Sequence, residues 1–584
     1  MLLFNLATIL FALISKSVTV EINLNPISSP LQVTAKTSRG DVIGLRYDYG
    51  NDRKKLFYGQ GDVFLGIPYV KTPIGNLRFK KPERLSKFLS VPYNATFLRP
   101  ACPQADVVDI SEDCLHLNIY TPQANSTEKY PIMIWIHGGS LKQGSAQNYE
   151  IPSVIRNFVS QNIIVVTIQY RLGMLGYFTT FTEDFPPNRG ALDQIEAIKF
   201  VKEEIANFGG NPNKITLVGQ SAGAASIAGH LFSPLSQSLT LIEHSNYANL
   251  FLDLFQGAIM QSGSLLTCFD GSMGFQNLSS QRANQLCQFS TEKWNSHNYT
   301  SLASCLLKMP YSEWISLDGS LLRGWEMVKD GYFLHDIPRN LATTRPKIPV
   351  MYGNCKDEWS YFELLFMRRN ITRLSSYSKV FFDMFFKTMA SFFKTKSTEV
   401  KDILKALYKP DGIADYNNLG WLKTQSDIFT VLGFTGFLRQ EIDWYLENDN
   451  KQVYAYEMTY GSQIRRHINV PGWTPIYHNC ELPFLWMNPD DWIKAQNESL
   501  LTQNDTEIAN FFADTWSNFV KTGKPHPNTA FWSPMNNRTF SYMDIGTSRM
   551  FKSGYREKDS AVWKTILPKI IGEWPPEKLD WKYD

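Results

Sequence analysis

"ITLVGQSAGAAS", Ile215 to Ser226, sets Ser221 between Gly219 and Gly223, after a short apolar run and before a string of small residues. Taken alone, G-x-S-x-G has two meanings: a nucleophile carried on a strand-to-helix turn, or a serine tolerated in a tight turn. The surrounding sequence decides between them. "PIMIWIHGG" (131–139), "NIIVVTIQY" (162–170), "ITLVGQS" (215–221) and "GAIMQSG" (257–263) are continuously apolar and bounded by turn residues, as strands buried on both faces are. "IPVMYGN" (348–354) and "VYAYEMTY" (453–460) read as two more.

Between the second and third runs, Leu192, Ile195, Ile198, Val201 and Ile205 recur at helical spacing, and Gly209 and Gly210 supply a stop. Strand, helix, strand with such apolar strands predicts an α/β fold: a large, mostly parallel central sheet with helices on both faces. Ser221 then falls at the C-terminal end of a buried strand, the edge where open α/β sheets gather ligand chemistry. Gly219 and Gly223, lacking Cβ atoms, permit the strained turn and close helix packing that push the hydroxyl outward, and the turn aims the Ala222 N–H above it.

The chain has 584 residues, 43% hydrophobic and 19% charged, an ordinary globular balance. No linker, repeat or charge block divides it, so one large domain with insertions is expected. The formal charge of +3 is spread without a basic stripe, which sets aside nucleic acid and anionic membrane surfaces as partners. Residues 1–17 form an apolar run with small residues Ser15 and Ser17 at plausible cleavage positions, and read as a secretory signal preceding a domain over 18–584. No second apolar run reaches membrane length, and the ending "EKLDWKYD" carries neither an anchor tail nor a retention tetrapeptide. A soluble, exported chain is expected. Seven cysteines and sequons at Asn94, Asn125, Asn277, Asn298, Asn370, Asn497, Asn504 and Asn537 are compatible with that compartment.

A serine nucleophile needs a base and an acid. In the strand-turn-helix esterase architecture the order along the chain is serine, carboxylate, histidine. His116 and His137 precede the serine; His230, His244, His297 and His335 leave no strand-end carboxylate between them and it; His467, His478 and His526 remain. "KIPVMYGNCKDEWSYF" offers Asp357 and Glu358 just after a strand, with the choice between them open. His467 follows Arg465 and Arg466, whose charges oppose the imidazolium a general base must form, and His526 lies in the exposed-looking "KPHPN". His478, in a turn before an apolar segment, is the best candidate base. For the oxyanion, "WIHGGSLKQGSA" ends an earlier strand with Gly138 and Gly139, whose N–H groups can face Ser221.

The chain resembles the type-B carboxylesterases of the cholinesterase-like branch of the α/β-hydrolases. The matching stretches are "VFLGIPYVKTPIGNLRFKKP", "SEDCLHLNIYTP", "IMIWIHGGS", "QYRLGMLGYF", "NRGALDQIEAIKFVKEEIANFGGNPNKITLVGQSAGAAS", "AIMQSGS", "KDEWSYF" and "HNCELPF", covering most of the chain from about Thr37 to Pro525. The resemblance implies an α/β-hydrolase fold, Glu358 as acid and His478 as base, and oxyanion donors at Gly139, Ser140 and Ala222. It also implies Ser262 as a support for the acid and disulfides Cys102–Cys114 and Cys287–Cys305. The implied reaction is two-step acyl transfer on a small-molecule ester, with no metal or cofactor.

Two departures stand out. The third glycine of the family's oxyanion strand is Ser140 here, which supplies an N–H but resists positive φ. Gln220 stands where similar cholinesterases carry glutamate, and "PQADVVDISED" between Cys102 and Cys114 lacks the tryptophan that would stack on a quaternary ammonium, so neutral esters are expected over choline esters. Rival readings are an inactive adhesion protein on this fold and an acyltransferase sharing the acyl-enzyme. Cys355 and Cys480 flank the acid and the base, leaving either a third disulfide or two packed free thiols.

Overall fold

The computed structural model describes residues 20–237, 253–269, 278–319, 324–389, 391–464 and 469–572. Residues 1–17, read above as a signal, and His244, Asn277, Arg465, Arg466, His467 and the ending 577–584 lie outside the described residues.

One sheet organises the chain. Its strands are β1 (Leu31–Thr37), β2 (Gly40–Asp48), β3 (Gln60–Pro68), β4 (Tyr93–Asn94), β5 (His116–Thr121), β6 (Tyr130–Ile136) and β7 (Ile164–Ile168). They continue with β8 (Gly210–Gln220), β9 (Gly257–Gln261), β10 (Val350–Cys355), β11 (Val453–Met458), β12 (Tyr542–Ile545) and β13 (Arg549–Lys552). The order across the sheet is β1-β2-β3-β5-β7-β6-β8-β9-β10-β11-β12-β13, with β4 paired to β2. Neighbours from β7 through β12 run parallel, and antiparallel strands flank them on both sides.

Alternation along the central strands feeds two cores. Ile132, Ile134 and Ile136 of β6 point into one cluster, where Leu192, Ile195, Ile198 and Val201 of helix Arg189–Glu204 meet them. Met133 and Trp135 enter the other, covered by Ile508, Phe512, Trp516 and Phe519 of helix Gln503–Thr522. Apolar residues on both sides of one strand are thus explained by helices on both sides of the sheet. The stop signal acts as read: Gly209 takes φ 85° and its N–H donates to Ala206 and Ile205 carbonyls.

The register aligns the C-terminal ends of the parallel strands. Ile136 pairs with Gly219, Gln220 with Gln261, Gly353 with Gln261, and Cys355 with Met458. The segments leaving β6, β8, β9, β10 and β11 therefore emerge along one edge. The Cys102–Cys114 and Cys287–Cys305 disulfides are both present, with Cα separations of 4.9 and 6.2 Å. Among the described residues no helix is long and apolar enough to cross a membrane.

Candidate active site

Ser221 sits between β8 and helix Ala222–Phe232 at φ 57°, ψ −126°, a conformation costly for a residue with a side chain. Its surroundings hold it there: the Ser221 N–H donates to Gln261 O at 2.7 Å, and the Ala225 N–H to Ser221 O at 2.9 Å. A Cβ on Gly219 would lie 2.7 Å from Ile136 O, and one on Gly223 2.0 Å from the same atom. Both glycines are therefore required by contact with β6. Gly263 meets the same condition from β9, since its Cβ would lie 2.3 Å from Ser221 O.

The loop after β6 lies against this turn. A Cβ on Gly138 would come within 2.9 Å of Ser221 Cβ. Gly139 takes φ 115°, and its carbonyl accepts from Lys142 and Gln143 N–H groups at 3.1 and 3.0 Å. Ser140 adopts φ 56° despite its side chain, and Leu141 follows at 57°. Outside contacts over-determine that strain: the Trp325 N–H donates to Ser140 O and the Gly173 N–H to Leu141 O, at 3.1 and 2.8 Å.

The acid and base meet across two other loops. His478 Nδ1 lies 2.6 Å from Glu358 Oε2, with Glu358 fully buried and His478 6% exposed. The second oxygen, Glu358 Oε1, accepts the Cys355 N–H at 2.7 Å, and Glu358 O accepts the His478 N–H at 3.2 Å. Asp357 faces elsewhere: its N–H donates to Ile476 O and its Oδ2 accepts the Ile476 N–H, both at 2.9 Å. Geometry therefore separates the two adjacent carboxylates. His526 is tied in a surface turn to Asn528.

With Nδ1–H assigned by its carboxylate partner, His478 Nε2 is a lone-pair acceptor. That nitrogen is met at 3.1 Å by the Gln220 side-chain Nε2, and among the described residues no hydrogen bond joins it to Ser221 Oγ. Ser262 lies just past the end of the neighbouring strand β9. Its N–H donates to Gly353 O at 2.7 Å, while its Oγ is buried without a hydrogen-bond partner among the described residues.

Ser221, Ala222, Ser140 and Ser262 line one cavity that opens to solvent, walled by Trp325, Trp359, Phe362 and Phe434. Phe434 lies in the wide helical turn Val431–Thr435, its ring 4.9 Å from that of His478. These walls, Gly263 and the Cys355 N–H were not legible as parts of the site. The rings come from positions far apart in sequence, and the loop between Cys102 and Cys114 contributes none of them. Elsewhere, burial drives His116 and His137 down to about 4 and His230 to about 3, which leaves them neutral at physiological pH.

A strained serine, an imidazole paired with a buried carboxylate and a glycine loop gather at one sheet edge. The model of the carboxylesterase family matches residues 30–563. The chain belongs to the carboxylesterase family. Carboxylic ester hydrolysis is the reaction of that family, and several curated esterases are similar to this chain. Mouse (Mus musculus) Carboxylesterase 1C is 27% identical over 88% of this chain and 90% of its own length. Mouse Pyrethroid hydrolase Ces2a is 28% identical over 94% of this chain and 93% of its own. Gut esterase 1 of Caenorhabditis briggsae is 36% identical over 54% of each chain.

Proposed function

We propose that this carboxylesterase works through an acyl-enzyme on Ser221, with His478 as general base and then acid, and Glu358 holding the imidazole. The observation that carries this reading is the buried 2.6 Å Glu358–His478 pair at the sheet edge that also bears the strained Ser221 turn. His478 Nε2 takes the serine proton as Oγ attacks the ester carbonyl, once Ser221 replaces Gln220 as its partner. Glu358 stabilises the imidazolium, and the N–H groups of Gly139, Ser140 and Ala222 receive the oxyanion. The alcohol leaves with the proton; water then releases the acid by the same steps in reverse order.

Apolar and aromatic walls favour small-molecule esters with apolar acyl or aryl groups. Ser221→Ala tests the assignment: turnover of a short aryl ester should vanish while thermal unfolding is unchanged, and retained turnover in a clean preparation contradicts it. Product analysis with an alcohol present separates hydrolysis from acyl transfer. The co-occurrence of all three groups speaks against an inactive adhesion protein.

Export into an oxidising compartment is part of the same reading. It is supported by the apolar segment 1–17, the two disulfides, and the exposure of Asn94, Asn125, Asn298, Asn370, Asn497 and Asn537 at sequons.

A further inference from the structure

Seven cysteines leave three outside the two disulfides: Cys268, Cys355 and Cys480. Cys268 is buried against the cavity, and burial pushes its thiol up to about 12. The other two stand on the loops that bring acid and base together. Those loops are zipped by the reciprocal Asp357–Ile476 hydrogen bonds and by the His478 N–H on Glu358 O. Cys355, the last residue of β10, holds Glu358 Oε1 through its N–H; Cys480 closes the His478 turn by donating its N–H to Tyr477 O at 3.1 Å. Cys480 packs against the core cluster that contains Cys355, and the side chain of the next residue, Glu481, reaches the Cys355 sulfur.

We propose that Cys355 and Cys480 form a third, reversible disulfide that ties the Glu358 loop to the His478 loop. The two thiols have different parts. Cys480 is half-buried and reachable by a small disulfide such as oxidised glutathione, whereas Cys355 is sealed from solvent. Cys480 thiolate attacks the glutathione disulfide, forming a mixed disulfide and releasing one glutathione thiolate, which is protonated by solvent. Cys355 then needs a base, because burial beside Glu481 and Glu358 holds its thiol well above the usual range. Glu481 Oε2 sits 3.1 Å from Cys355 Sγ and takes that proton as the sulfur attacks Cys480. The second glutathione thiolate leaves and takes the proton from Glu481. Two thiols and one glutathione disulfide become one protein disulfide and two glutathiones, two electrons passing from the pair to the oxidant.

Burial pushes the Glu481 carboxyl up, and Glu358 adds to the rise, so Glu481 is a stronger base than an exposed glutamate. Its other oxygen accepts Gln261 Nε2 at 3.2 Å, which fixes it beside the sulfur.

The test uses the full chain equilibrated with oxidised glutathione, denatured in excess alkylating agent and peptide-mapped without reduction. The expected result is a peptide pair joined through Cys355 and Cys480, absent after prior treatment with dithiothreitol and absent in Cys480→Ser. Cys480 carrying glutathione while Cys355 is alkylated overturns the proposal, as does finding both alkylated. A second reading is the half-life of esterase activity on heating, expected to be at least about twofold longer for oxidised than for reduced wild type. Cys480→Ser and Cys355→Ala should show no such redox dependence, and equal half-lives for the two wild-type forms would show that the loops are not tied. Mapping reads covalent structure alone, so its outcome is independent of the catalytic assignment.

Discussion

Gln220 Nε2 lies 3.1 Å from His478 Nε2, so the residue preceding the candidate nucleophile holds the lone pair that must take the nucleophile's proton. An uncharged amide can donate to neutral imidazole without favouring imidazolium; a carboxylate in its place cannot do the same. Gln220→Glu sets a negative charge beside the ring and favours its protonated form. The acid limb of kcat/KM, which reports the base in the free enzyme, should therefore move to higher pH by roughly half to one unit, with activity lost first under mildly acidic conditions. A pH–rate profile checks this, and an unmoved limb contradicts a direct Gln220–His478 contact.

Glu358→Gln keeps the size of the buried side chain but removes the charge that orients Nδ1–H and stabilises imidazolium. By analogy with other serine triads, kcat should fall by about 10³–10⁴-fold. Asp357→Asn, on the carboxylate that faces Ile476, should cost far less in kcat and show itself in thermal unfolding. Saturation kinetics on both variants would reveal a reversed order, which would transfer the acid role to Asp357.

Gly139→Ala probes the oxyanion loop. Its Cβ would lie 2.1 Å from Gln143 O, at a φ of 115° that side chains avoid, so the loop must shift. Displacing donors aimed at the oxyanion should lower kcat by about 10²–10³-fold, with KM much less affected. Comparable loss in KM alone would mean that the loop binds substrate without stabilising the transition state.

Much of this site was legible in the sequence, for identifiable reasons. The central strands announce themselves because burial on both faces makes them continuously apolar, and Gly219 and Gly223 are forced by the closeness of Ile136 O. The flanking antiparallel strands are less visible: β1, "LQVTAKT", is mostly exposed or half-buried and carries no apolar run. Asp357 and Glu358 could not be separated by residue type or spacing, because what distinguishes them is the arrival of Ile476 and His478 from a segment more than a hundred residues later. The Gln220 contact and the aromatic walls depend on the same long-range assembly.

Stability carries its own pH signature. Glu441 is fully buried, accepting the Leu265 N–H at 2.6 Å and the Tyr352 hydroxyl at 3.1 Å, and burial pushes its carboxyl up to about 7. A carboxyl raised on folding stabilises when protonated: its contribution is full below the unfolded value near 4.5 and is lost as pH rises through about 7. The buried neutral His116, His137 and His230 act in the opposite sense, their contribution falling as pH drops. Comparing wild type with Glu441→Gln isolates the glutamate. The Tm of wild type relative to the variant should decline between pH 5 and pH 8, and parallel curves would contradict the assignment.

The role of Ser221 as nucleophile is measured by treating the native protein with a serine-directed organophosphate and locating the adduct by peptide mapping while following turnover of a short aryl ester. One adduct per chain is expected, on Ser221, formed in step with the loss of activity, and none on Ser221→Ala. Inactivation with the adduct on another residue, or labelling of Ser221 with turnover intact, would contradict it.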